Sequence, residues 1–91
     1  MRTTAVVLLS CVLLVTLAGA AFANDVEGRI ESLNQEARSL VVQGIEFLAT
    51  QTTEYDDGLY SFADLREGMR VEVEFIYRDG KHYAREISRD D

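Results

Sequence analysis

The densest set of groups able to do chemistry lies at Glu54, Asp56 and Asp57, with Gly58 directly behind them. Carboxylate and carbonyl oxygens are the ligands of hard cations, and Ca²⁺ takes about 6–8 of them. Three carboxylates with neighbouring carbonyls approach that number, so residues 54–57 form a candidate acidic loop for a cation. Their spacing lacks the Asp-x-Asp-x-Asp-Gly regularity of an EF-hand, and the plainer reading is a solvated acidic turn. His82 is the single histidine. A transition-metal site needs further His or Cys ligands, and the chain after Ala23 has neither, so His82 is expected as a solvated side chain near the exposed start of a strand. Glu72 and Glu74 share one face of an alternating stretch that looks solvated, with Arg85 as a cross-strand partner. No nucleophile–base pair stands out and no second positioned group completes an acid–base set, so the chain reads as non-enzymatic with no cofactor.

Four aromatic residues matter for surface chemistry. Tyr55 and Tyr77, if they meet outside the core, make an aromatic patch of the kind enriched at protein interfaces. The alternative for Tyr77 is the end of a core stripe. Tyr60 and Phe62 are expected to cap one end of the fold, because Tyr60 and Leu65 occupy the staple positions of a short helix.

The elements that position these groups can be read in order. Val26, Gly28 and Ile30 alternate with Glu27, Arg29 and Glu31, the pattern of a strand with one wet face. Gly28 marks a bend within it. A turn at residues 34–37 leads to a second strand over 39–43, and Gly44 passes the chain into a third from Ile45 to about Thr50. The polar run 51–58 reads as a loop. Ser61 with Asp64 forms a capping box for a helix from Phe62 to about Glu67, which Gly68 would end in a left-handed conformation. Val71, Val73, Phe75 and Tyr77 then alternate with charged residues, and Asp79-Gly80 signals a hairpin. In the return strand over 81–88, Tyr83, Arg85 and Ile87 fall on one face and Ala84 on the other. Either Arg85 snorkels or a bulge shifts the register.

Three strands, a short helix and two strands make a mainly β fold. That is the element order of the OB-fold, a five-stranded, partly open Greek-key barrel. A curved open sheet with the helix plugging one end is the alternative, since closure depends on whether the first strand pairs across the gap. One domain spans residues 24–91, without repeats or linkers.

Residues 1–23 read as a signal peptide. Arg2 precedes an apolar run from Ala5 to Leu17, and Ala21-Phe22-Ala23 supplies an Ala-x-Ala cleavage site before Asn24. The run falls short of the roughly 20 residues a spanning helix needs, so no stable membrane anchor is expected after cleavage. Leu8-Leu9-Ser10-Cys11 only loosely resembles a lipobox, and Cys11 is expected to leave with the leader. The localisation read from this is exported, periplasmic or secreted.

All 16 acidic residues lie beyond Ala23, together with every basic residue except Arg2. Nucleic-acid binding draws most of its affinity from neutralised phosphates, and an acidic chain with no basic stripe argues against it. Anionic membrane surfaces are disfavoured for the same reason. A domain this small buries only about 60% of its unfolded surface, so stability is modest or assisted by a partner or a second copy.

The blocks Val26-Glu27-Gly28-Arg29-Ile30, Leu40-Val41-Val42-Gln43-Gly44, Leu65 to Glu74 and Ala84-Arg85-Glu86-Ile87 resemble those of a widespread class of small exported bacterial β-barrel domains, catalogued as a domain of unknown function. The resemblance implies an OB-like barrel and a bacterial exported location. It transfers no site residue, since its motifs are glycines and core hydrophobes. Glu54 to Tyr60 departs from that class, being more acidic and aromatic. Together these readings indicate a non-catalytic exported module that binds a protein or envelope component, or self-associates. A small cation-binding protein using residues 54–57 is the alternative.

Overall fold

The computed structural model describes residues 24–91. The expected leader, with its expected cleavage site and Cys11, lies outside the described residues. Within them the chain forms β1 (Asn24–Asn34), β2 (Ser39–Val42), β3 (Ile45–Asp56), a single 3-10 turn (Phe62–Asp64), β4 (Arg70–Arg78) and β5 (Lys81–Arg89). The strands close into a barrel in the order β1-β2-β3-β5-β4, which removes the open-sheet alternative.

Closure is achieved by β1, which serves two neighbours in turn. Asn24 to Arg29 pair with β4, from Phe75 back to Arg70. Ile30 to Asn34 then pair with β2, with Glu31 as the extra residue at the change of partner. Gly28 stands where the strand coils tightly across the barrel. A Cβ there would approach Val42 Cγ1 to 3.1 Å and Gln43 Cγ to 3.3 Å, so the bend read from the sequence is a place where only hydrogen fits comfortably.

The core is built by alternation. Val71, Val73 and Phe75 of β4 point inward with Ile30, Leu40, Val42, Phe47 and Ile87, and Leu59, Phe62 and Leu65 fill the end between β3 and β4. Asp79 and Gly80 both have positive φ (54° and 78°), the combination of a type I′ turn whose twist matches the β4–β5 hairpin. In β5, Glu74 faces Glu86 while Phe75 faces Ala84, which leaves Arg85 as a bulged residue. The bulge turns both Ala84 and Ile87 inward, so the register shift, and not a snorkelling Arg85, resolves the irregular pattern.

Two expectations are corrected. The helix over 62–67 is one 3-10 turn, because the chain becomes extended at Leu65 (φ −77°, ψ 147°). Six residues offer too few helical hydrogen bonds to offset nucleation, and the extended exit buries Leu65 fully. Without a helix the staple is not formed: Phe62 plugs the barrel, but Tyr60 is 86% exposed. Gly68 does have positive φ (88°), and its N–H donates to the Ile30 carbonyl at 2.8 Å, tying the turn back to β1 in place of ending a helix.

The second correction concerns the polar run after Thr50. It continues β3 to Asp56 and pairs in parallel with β5. Between the pairs Ala49–Ala84 and Glu54–Glu86 the ladder is interrupted. Thr53 bridges the interruption: its buried Oγ1 accepts the Thr50 N–H at 2.8 Å and donates to the Ala84 carbonyl at 2.7 Å.

Candidate interaction face

The outer surface of β1, β4, β5 and β3 carries carboxylates in register. Asp25 faces Glu74, Glu74 faces Glu86, and Glu86 faces Glu54, so one row of acidic residues crosses four adjacent strands. A second row runs from Glu27 to Glu72 to Ser88 to Asp56. Alternation produces each row, because with Val71, Val73 and Phe75 inward, Glu72 and Glu74 must point outward. Directly opposed like charges destabilise a sheet. Counter-charge is sparse. Arg85 reaches Glu74 at 3.8 Å, the cross-strand pairing the sequence suggested, and Arg70 reaches Asp90 at 3.8 Å.

The proton affinities of two carboxyls register this crowding. Glu72 is pushed up to about 7, chiefly by a side-chain hydrogen bond with Asp25, then by partial desolvation and the charges of Asp25, Glu27 and Asp90. Glu86 is also raised, first by desolvation and then by Glu74, Asp56, Glu54 and Asp57.

The candidate cation ligands divide between two elements. Glu54 and Asp56 lie on β3, and Asp57 lies in the following turn with positive φ (57°), where its N–H is held by Asp56 Oδ1 at 2.8 Å. Among the described residues, no three His, Cys, Asp or Glu side chains stand close enough to hold a metal ion. The three are not brought together as a ligand set; Glu54 and Asp56 instead end the acidic rows.

Tyr55 and Tyr77 do not share a patch. Tyr55 packs partly buried against the core, and burial raises its phenol despite the lowering effect of Arg38. Tyr77 is 61% exposed and packs against His82 with the rings tilted by 56° and their centroids 4.8 Å apart. His82 is half-buried, not freely solvated. Its ring also meets Phe75 at 5.3 Å and Phe47 at 5.8 Å, both edge-on, so it closes the end of the barrel opposite the Phe62 plug.

A cleft of about 280 Å³ opens beside the β3 interruption, lined by Thr50, Thr52, Glu54, Arg78, Tyr83 and Glu86 among others. The Thr50 and Thr52 hydroxyls bond to each other at 3.0 Å. Neither hydrogen-bonds a carboxylate or imidazole that would take its proton, so the cleft does not present an activated nucleophile.

A family model described as "Domain of unknown function (DUF5666)" matches residues 27–88. The chain belongs to this family. No curated protein sequence matches it. The DUF5666 barrel is similar in fold to a Cu(II)-bound variant of CusF from Escherichia coli, with a TM-score of 0.64 at 12% identity over 79% of this chain and 99% of that one. CusF–Ag(I) from the same organism gives 0.64 at 10% identity, over 81% and 99%. A fimbrial biogenesis protein, PilY2 from Pseudomonas aeruginosa, gives 0.63 at 12% identity, over 76% and 88%. At these identities the likeness is one of fold.

The fold likeness raises the question of a soft-metal site, and the donors among the described residues do not fit one. Soft ions such as Cu(I) are held by Cys, Met and His. Among the described residues the candidates are Met69 and His82. Met69 precedes β4, whereas His82 faces Tyr77 near the other end of that strand, roughly 25 Å away at about 3.3 Å per residue.

The acidic rows were not legible in the sequence, although each carboxylate was. What groups them is the β1–β4 pairing that closes the barrel together with the parallel β3–β5 register, neither of which carries a sequence signal of its own. The one available cue was the alternation of Asp25 and Glu27 with Val26 on a strand able to close the barrel.

Proposed function

We propose that this DUF5666 domain is a non-catalytic exported module that binds a protein partner through the acidic outer face of β1, β4, β5 and β3, the partner contributing a basic segment. The observation that supports this most is the row Asp25–Glu74–Glu86–Glu54, in which four carboxylates lie side by side and, among the described residues, Arg85 is the one cation bridged to them. Lysine or arginine side chains laid across the row would relieve repulsion that the isolated barrel carries. The same charge disfavours nucleic acid and anionic lipid surfaces. The fold likeness to PilY2, a fimbrial biogenesis protein, agrees with a role in assembly at the cell envelope.

The test is capture of a discrete partner from bacterial envelope extract by the immobilised protein, compared with the variant Glu54→Gln/Glu74→Gln/Glu86→Gln. Loss of the partner in the variant and at raised salt supports the reading. Equal capture by both proteins overturns it, as does a monomer with no partner under any condition.

A second reading, uptake of a hard cation by Glu54, Asp56 and Asp57, draws support from the register that sets a fourth carboxylate, Glu86, directly beside Glu54. Calorimetric titration with Ca²⁺, Mg²⁺ and Zn²⁺ decides it. Heat together with a raised melting temperature supports cation binding; neither one ends it.

A further inference from the structure

The seam that closes the barrel is assembled from like charges. It consists of six residue pairs between β1 and β4, and three of them oppose the same sign: Asp25 with Glu74, Glu27 with Glu72, and Arg29 with Arg70. The arginines do not neutralise the carboxylates. Arg29 donates to the Gly68 carbonyl at 2.8 Å, and Arg70 turns to Asp90. The β4–β5 seam opposes like charges in two of its eight pairs, Glu74 with Glu86 and Arg78 with Lys81, and β3–β5 in one, Glu54 with Glu86, whereas β1–β2 is held by pairs such as Ile30 with Val42 and Leu33 with Leu40, and β2–β3 by Leu40 with Phe47 and Val42 with Ile45.

We infer that the β1–β4 seam is a pH-sensitive latch, which tightens as its carboxyls take up protons below neutrality and loosens as they ionise. Every charged group facing Glu72 bears on this. From β1 come Asp25, Glu27 and Arg29; from β4 itself, Arg70 and Glu74; from β5 and the tail, Arg85, Glu86, Arg89 and Asp90. The carboxylates outnumber the guanidiniums, and those guanidiniums with assigned partners are engaged elsewhere or with Glu74. The sign follows from proton affinity. Glu72 is raised from 4.5 to about 7 in the fold, so between those values the folded barrel binds a proton that the unfolded chain does not. Stability is therefore present at the acid end of the window and lost as pH rises through it. The loss falls on this seam first, because Glu72 and two of the carboxylates that crowd it, Asp25 and Glu27, all belong to its own ladder.

The experiment is amide hydrogen exchange of the protein at pH 5.5 and 7.5, each rate divided by that of the unstructured peptide at the same pH. Protection of residues 25–29 and their β4 partners is expected to fall by roughly tenfold at the higher pH, the effect of about one pK unit, while residues 40–42 and 45–48 change little. Glu72→Gln, which is neutral at both values, is expected to abolish the fall, and Asp25→Asn to reduce it. Glu36→Gln, removing one exposed charge at the β1–β2 turn, is expected to leave it intact. No fall at the seam, an equal fall across the whole barrel, or a fall that persists in Glu72→Gln overturns the inference.

Discussion

Glu74 of β4 and Glu86 of β5 are direct cross-strand partners, two carboxylates in one antiparallel pair. The arrangement is set by the Arg85 bulge. Were Arg85 paired in regular register instead of bulged, Glu86 would move opposite Val73 and its side chain would turn inward, where Ile87 now lies fully buried. The same device that completes the core therefore aligns the acidic row on the outside. Arg85 offsets part of the repulsion, but both members of its bridge to Glu74 are substantially exposed, and such pairs contribute little.

Thr53 is expected to be the most sensitive polar residue. Thr53→Val keeps the shape but leaves the Thr50 N–H and the Ala84 carbonyl without the partner that spans the β3 interruption. The expected loss is about 1–3 kcal/mol in chemical unfolding. Thr53→Ser, which restores the hydroxyl, should recover most of it.

Gly28 tests the tight closure. Gly28→Val places carbon atoms against Val42, which is fully buried and cannot retreat. Overpacking of this kind costs about 1–3 kcal/mol, read as a lower urea midpoint with an unchanged slope.

Phe47 joins the core to the aromatic end, with its ring 5.0 Å from Phe75 and 5.8 Å from His82. Phe47→Ala should cost about 3–5 kcal/mol, most of the stability a domain this small possesses, and leave the protein largely unfolded by far-ultraviolet circular dichroism at 25 °C. Phe47→Leu should remain folded with a reduced melting temperature.

Much of the barrel was legible where one physical signal acted alone. The alternation of Val71, Val73 and Phe75 with Glu72 and Glu74 needs only one wet face, and Asp79-Gly80 needs only a turn with positive φ. The sequence failed where tertiary context outweighed local pattern. Residues 51–56 look like a loop because Thr, Gln, Glu and Asp fill them, yet parallel pairing with β5 and the inward Thr53 hold them as strand. The capping signals at Ser61 and Asp64 are real: the Asp64 carboxylate accepts the N–H groups of Tyr60 and Ser61 at 2.8 and 3.1 Å. They start one turn and no more, because burying both Phe62 and Leu65 requires the chain to leave the helix. His82 was misplaced because its hydrophobic neighbours come from β3 and β4, and no sequence spacing relates them.

The most direct test of the crowded acidic face is a carboxyl-resolved NMR titration of the protein. Glu72 should lose its proton at about 7, with Glu86 also above its ordinary value of 4.5, and Asp25→Asn should bring Glu72 back toward the ordinary range. Glu72 and Glu86 both titrating near 4.5, unmoved by Asp25→Asn, would contradict the account.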